Sequence, residues 1–219
     1  MQQQDPGQAA RATAGASILV VDDDAGMRSA LTRLFVAAGG KVRAFASGPE
    51  LLASDLLGAA ACIVLDLKMP GMDGLRVQAE LVARQCTVPT LFLTGAADVP
   101  TAVRAMQAGA FDFIEKPFDN EHLLERVHAA IEHTRRQTQP QVGDDQQRAA
   151  FLSRLAALTP RERQVLDQVV TGQTSKQIAR VLGASHRTIE IHRAHIMEKL
   201  DLHTLADLVR MHLRCAAPE

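Results

Sequence analysis

The stretch ACIVLDLKMPGMDG, Ala61 to Gly74, sets a short apolar run directly against an acid and then a Met-Pro-Gly turn. An uninterrupted apolar run that ends in a carboxylate suits a strand buried on both faces, with its last residue delivered to a site. The same shape recurs on either side. Ser17–Asp22 (SILVVD), Lys41–Phe45, Val88–Thr94 and Ala110–Glu115 are further candidates, beside Ala61–Asp66 itself. Between and after them, helical apolar spacing fills roughly Ala25–Ala38, Gly48–Leu57, Gly74–Arg84, Val99–Ala108 and Asn120–Arg135. Strand and helix alternate five times. That order predicts an α/β domain, a five-stranded parallel doubly wound sheet whose sites form at the carboxyl ends of the strands.

The pattern then changes. Gln137–Gln147 (QTQPQVGDDQQ) is nearly devoid of apolar residues and contains Pro140 and Gly143, the mark of a domain boundary. Arg148–Leu158 regains helical spacing through Phe151, Leu155 and Leu158. In Thr159-Pro160-Arg161-Glu162 an N-cap residue, a first-position proline and a Glu three residues after the cap start the next helix, which Gly172 stops. Ser175 opens a helix to Leu182, Ser185 another to about Leu200, and Thr204 a fourth. These four helices predict a small all-α domain. The expected division is a disordered tail over 1–16, a first domain over 17–135, a partly helical linker over 136–157 and a second domain over 158–219.

Composition narrows the function classes. At 219 residues the chain suits two modest domains, and no apolar run approaches the roughly 20 residues of a membrane-spanning helix. The start lacks the basic, apolar and cleavage regions of a secretory signal. Three scattered cysteines argue for a reducing compartment, so a soluble cytoplasmic protein is expected. The overall charge of −1 hides an asymmetry: residues 1–143 carry 13 Lys/Arg against 16 Asp/Glu, and residues 144–219 carry 11 against 9. The slightly basic second part, with five of the eight histidines, is compatible with a nucleic-acid partner without establishing one.

Under the predicted fold, Asp22 and Asp23, Asp66, Thr94 and Lys116 converge at strand ends. Clustered carboxylates repel unless a hard divalent cation sits among them, and Mg²⁺ binds few carboxylates while keeping positions open for phosphate oxygens. Asp66 then suits a nucleophile that forms an acyl phosphate, with Thr94 as hydroxyl donor and Lys116 as fixed positive charge. Taken singly, acids at strand ends and a loop lysine are ordinary surface choices. What sets these apart is a spacing that follows the strand count.

The motifs Ile18-Leu-Val-Val-Asp-Asp-Asp24, Leu65-Asp66-Leu-Lys-Met-Pro-Gly-Met-Asp-Gly74, Leu93-Thr94-Gly95 and Glu115-Lys116-Pro117-Phe118 resemble those of CheY-like receiver domains, over about Ser17 to Arg135. The resemblance implies that Asp66 is the phosphorylated aspartate. It implies a metal site in which Asp23 binds Mg²⁺ directly, Asp22 through water, and Lys68 through its backbone carbonyl. Thr94 and Lys116 match the switch threonine and the site lysine, and Lys116-Pro117 the position of a cis peptide. The aromatic switch position is Phe113, so a hydroxyl present in many relatives is missing; the ring is still expected to repack when Thr94 moves.

From Leu158 to Val209 the chain resembles the LuxR-type helix-turn-helix. Together with Arg43-Ala-Phe-Ala-Ser47 and Thr94-Gly95, the whole looks like the FixJ-like branch of two-component response regulators. On a helical wheel, Ile189, Ile196 and Leu200 form one stripe, while Arg187, Ile191, Ala194 and Glu198, flanked by Glu190 and His195, form the opposite face. Apolar Ile191 and small Ala194 facing outward suit a major groove, where apolar groups meet thymine methyls and Glu190 can accept from a cytosine amino group. Lys176, Arg187, Thr188, Arg193 and Lys199 are placed for phosphate contacts. The H-x-x-H of His192 and His195 has no Cys or acid cluster beside it and is read as packing or phosphate contact, not zinc.

The resemblance implies a sensor histidine kinase, promoter DNA and RNA polymerase as partners, and a homodimer on phosphorylation. The expected dimer face spans the fourth helix, fifth strand and fifth helix, with at least one of Val99, Val103 and Met106 exposed, and Leu205, Leu208 and Val209 as a second contact. The competing reading is a haloacid-dehalogenase-like phosphatase with Asp22 as nucleophile. It leaves Asp66 and its Met-Pro-Gly turn unexplained.

Overall fold

The structure, a computed structural model, describes residues 13–95, 99–137, 144–202 and 204–216. The expected tail lies outside these up to residue 12, as do residues 138–143 of the expected linker. Five strands, β1 (Ser17–Val21), β2 (Lys41–Phe45), β3 (Cys62–Asp66), β4 (Thr90–Thr94) and β5 (Asp112–Glu115), form one parallel sheet in the order β2-β1-β3-β4-β5. The intervening helices are α1 (Ala25–Ala37), α2 (Gly48–Leu52), α3 (Gly74–Ala83), α4 (Val99–Gln107) and α5 (Asn120–Gln137). Then follow α6 (Asp144–Ala156), α7 (Pro160–Val170), α8 (Ser175–Leu182), α9 (His186–Leu200) and α10 (Leu205–Ala216).

Every residue of β3 and β4 is buried, as their unbroken apolar runs require of central parallel strands. Alternate residues point to opposite faces. Ile18, Val20, Cys62, Val64, Leu91, Leu93 and Ile114 share a core with Leu31 and Phe35 of α1 and Leu123, Val127 and Ile131 of α5. Edge strand β2 has no fully buried residue. Two differences from expectation are local. Helix α2 stops at Leu52 and a separate 3₁₀ turn covers Leu57–Ala59. Residues 13–16 pack rather than fray: Thr13 is buried with its hydroxyl on the Ala38 carbonyl, and the Gly15 N–H donates to the Gly39 carbonyl at 3.0 Å.

The chain divides into two compact units, residues 1–96 with 108–140 and residues 97–107 with 141–219. Val103 and Met106 are 1% and 3% exposed; the side chain of Val99, the third of the residues of which at least one is expected to be exposed, lies outside the described residues. Of the residues expected at a second contact, Leu208 and Val209 of α10 are 3% and 1% exposed and Leu205 is partly buried.

The second unit has its own core: Phe151 of α6, Val165, Leu166 and Val169 of α7, Ile178 of α8, Ile189, Ile196 and Leu200 of α9 and Leu208 of α10. Its helices are capped by their own side chains. Thr159 and Thr174 each form a complete capping box, with Glu162 and Gln177, and Ser185 caps α9. Gly183 ends α8 in the left-handed conformation at φ 62°.

Candidate functional site

Three strand ends and one loop build a buried polar site in the first unit. Asp22, after β1, is 1% exposed; Asp66, last in β3, is 5% exposed; Thr94, last in β4, is 2% exposed. Just past β5, Lys116 reaches between the two acids, its Nζ donating to Asp66 Oδ1 at 2.6 Å and to Asp22 Oδ2 at 2.9 Å. The Lys116-Pro117 peptide is cis, and the Lys116 N–H donates to the Thr94 carbonyl at 2.7 Å. Local hydrogen bonds fix both acids. Asp66 Oδ2 accepts from the Lys68 N–H at 2.9 Å, and Asp22 Oδ1 from the Asp24 N–H at 2.9 Å, while Asp24 itself caps α1. Gly74 lets α3 begin directly behind the site, since a Cβ there would lie 2.6 Å from the Asp66 carbonyl oxygen and 2.8 Å from the Phe92 ring.

Burial pushes the Asp66 carboxyl above the usual carboxylate range; the hydrogen bond and charge of Lys116 pull it down, and the Asp22 charge adds to the rise. Burial also opposes the Lys116 ammonium, yet its hydrogen bonds to Asp22 and Asp66 outweigh that and hold it above the usual lysine range. The site is thus two buried carboxylates against one ammonium. Such an oxygen-rich, net negative site suits a hard divalent cation such as Mg²⁺. Asp23 is exposed beside it, and among the described residues no set of three His, Cys, Asp or Glu side chains is arranged to hold a metal by itself. Phe113 is half-buried on β5, in register with Phe92 of β4.

In the second unit, α9 turns Ile189, Ile196 and Leu200 into the core and leaves Arg187, Thr188, Glu190, Ile191, Ala194, His195 and Glu198 exposed. Ile191 is 47% exposed, one of several large apolar side chains open to solvent, and it lies on the outward face of α9. Lys176 is exposed near the start of α8. Thr188 packs its hydroxyl against the Ser185 cap at 2.8 Å. Two of the expected phosphate-contacting cations have partners inside the protein. Arg193 is half-buried and donates to Ser175 Oγ at 2.9 Å, and Lys199 Nζ lies 2.7 Å from Glu162 Oε2. Sequence reading missed Glu162 as more than a cap, because its partner stands 37 positions away.

A receiver domain family model, "Response regulator receiver domain", matches residues 18–128, and one for "Bacterial regulatory proteins, luxR family" matches residues 156–212. Nodulation protein W of Bradyrhizobium diazoefficiens is 42% identical over 91% of this chain and 86% of its own length. Transcriptional regulatory protein FixJ of the same organism is 40% identical over 90% and 94%. This chain is a transcriptional response regulator. The solved structure of the response regulator StyR resembles it with a TM-score of 0.53 at 35% identity, covering 92% of this chain and all of that one.

The phosphatase alternative is not supported. In the response regulator both carboxylate oxygens of Asp22 are committed, one to the Asp24 N–H and one to Lys116, and the receiver match spans the whole first unit's motif set. Among the described residues, no helix is long and apolar enough to cross a membrane.

Proposed function

We propose that this response regulator accepts a phosphoryl group on Asp66 from a sensor histidine kinase and, so modified, binds promoter DNA in the cytoplasm to control transcription. The observation that carries this reading is the buried Asp66 carboxylate, bridged by Lys116 to Asp22 so that two acids share one positive charge. Asp66 attacks phosphorus as the N–P bond to the kinase histidine breaks and the imidazole leaves, and Lys116 and the Thr94 hydroxyl receive the phosphoryl oxygens. Asp22, Asp23, Asp66 and the Lys68 carbonyl would hold Mg²⁺, which when bound supplies charge stabilisation to those oxygens. Movement of Thr94 lets Phe113 repack. The division into a receiver over 17–135, a linker over 136–157 and a DNA-binding domain over 158–219 is part of the proposal.

On the DNA side, Glu190, Ile191, Ala194 and His195 meet base edges in the major groove. Lys176, Arg187 and Thr188 meet phosphates, joined by donors of Arg193 beyond the one given to Ser175. Phosphorylation brings two copies together so that two α9 helices read paired half-sites, and the bound dimer engages RNA polymerase. The test is incubation of the full chain with a small phosphodonor and Mg²⁺, followed by borohydride trapping and peptide mapping. Label is expected on Asp66 and lost in Asp66→Ala; label on Asp22, or undiminished label in Asp66→Ala, refutes the assignment.

A further inference from the structure

The far end of α9 is gripped from two neighbouring helices. Glu162 is the third residue of α7 and its side chain is 5% exposed. One oxygen, Oε2, accepts from the Thr159 N–H at 2.8 Å, from the Thr159 hydroxyl at 2.9 Å and from Lys199 Nζ at 2.7 Å. The capping box thus freezes the carboxylate, and the frozen carboxylate holds the last turn of α9. From α6, Arg154 Nη1 donates to the Leu200 carbonyl at 3.2 Å while Nη2 pairs with Asp201 Oδ2 at 3.0 Å. Lys199 and Arg154 also place positive charge where the helix leaves its last carbonyls unpaired.

We propose that Glu162, Lys199 and Arg154 are positioning residues for DNA recognition, which set the angle of α9 against the groove without touching nucleic acid. This rests on the DNA reading assigned to α9 above. The apolar seam of Ile189, Ile196 and Leu200 is non-directional and tolerates a small pivot, whereas a hydrogen-bonded ion pair on a capped carboxylate does not. The angle matters because α9 spans 15 residues, roughly 22 Å at 1.5 Å per residue, so a tilt of about 5° moves its end by about 2 Å. Base-edge hydrogen bonds do not survive such a shift. An ammonium already neutralised by Glu162 adds little attraction for phosphate. Arg154 precedes the residues matched by the luxR-family model, so the helix expected as linker supplies part of the recognition apparatus.

The full-length protein, phosphorylated with a small phosphodonor and Mg²⁺, is used throughout, with wild type first allowed to select a duplex from a random-sequence pool. Affinity for that duplex and for an unrelated one is then measured against salt, at temperatures where circular dichroism shows every variant folded. Glu162→Gln and Lys199→Met are each expected to weaken the selected duplex about 5-fold or more, with the double variant no worse than the poorer single. Arg154→Met does the same more mildly, and Lys199→Arg restores binding to within about twofold of wild type. The unrelated duplex and its salt slope stay as in wild type for all of them. A slope lower by about one unit in Lys199→Met identifies a phosphate contact and overturns the proposal, as does full selectivity in Glu162→Gln. A wild type that selects no sequence instead removes the DNA reading of α9, and the positioning role with it.

Discussion

Each unit buries a carboxylate against a lysine, and the two acids depart from the usual carboxylate range in opposite directions. Asp66 is raised, because burial and a second acid outweigh what Lys116 returns. Glu162 is lowered to about 2, led by the Lys199 hydrogen bond and aided by the Thr159 N–H and hydroxyl, against the cost of burial. The difference lies in saturation. Around Glu162 each negative charge has its own cation and two further donors; around Asp66 and Asp22 two negative charges share one cation. A satisfied pair is a strut, and an under-compensated one is poised for a cation or a phosphoryl group.

Removing the lysine from each pair should expose this contrast most strongly. Lys116→Met leaves two buried carboxylates facing each other without a counter-charge and is expected to cost about 3 kcal/mol in urea unfolding. Asp66→Asn relieves like-charge repulsion and should change stability by no more than about 1 kcal/mol. A Lys116→Met loss smaller than that of Lys199→Met would break the comparison, since it would mean that the first site is not short of positive charge.

The second effect is smaller and depends on pH. The Glu162 value in the folded chain, about 2, lies below its ordinary 4.5, so the unfolded chain binds the proton more readily. Its contribution is therefore complete above about pH 4.5 and is lost as pH falls toward 2. Glu162→Gln keeps the shape of the capping residue but removes this dependence; at neutral pH it should cost about 1–2 kcal/mol. Thermal unfolding of wild type and variant between pH 2 and 6 checks it, and the two curves should converge at the acid end. Parallel curves would show that Lys199 does not hold the folded carboxylate ionised.

The two sites also differed in how far they could be read from sequence. Asp22, Asp66, Thr94 and Lys116 were legible because each is tied to the end of a strand, and five apolar runs alternating with helices fix where strand ends meet. The α9 wheel was legible for the same kind of reason: Ile189, Ile196 and Leu200 recur at helical spacing and are 0%, 1% and 0% exposed. What could not be read were contacts without a period. Lys199 and Arg193 look like surface cations along their own helix, and only packing against α7 and α8 reveals Glu162 and Ser175 as partners.

The smallest stability effect is expected at Ile191, where the largest change in recognition per unit of stability should appear. Its side chain is 47% exposed and takes no part in the core beneath α9, so Ile191→Ala removes little buried area and should shift unfolding by no more than about 0.5 kcal/mol. On DNA the same truncation deletes the apolar contact proposed for a thymine methyl. Affinity for the selected duplex should fall by about 1 kcal/mol, and the loss should shrink when the contacted thymine is replaced by uracil, which lacks the methyl group. Binding to unrelated duplex and its salt slope stay unchanged, because no charge is removed. Ile191 and Glu162 would then be opposites within one unit: one reads bases without holding the fold, the other holds the reading helix without meeting a base. Equal losses on thymine and uracil duplexes would show that Ile191 does not face the methyl, and the assignment of that face of α9 would have to be rotated.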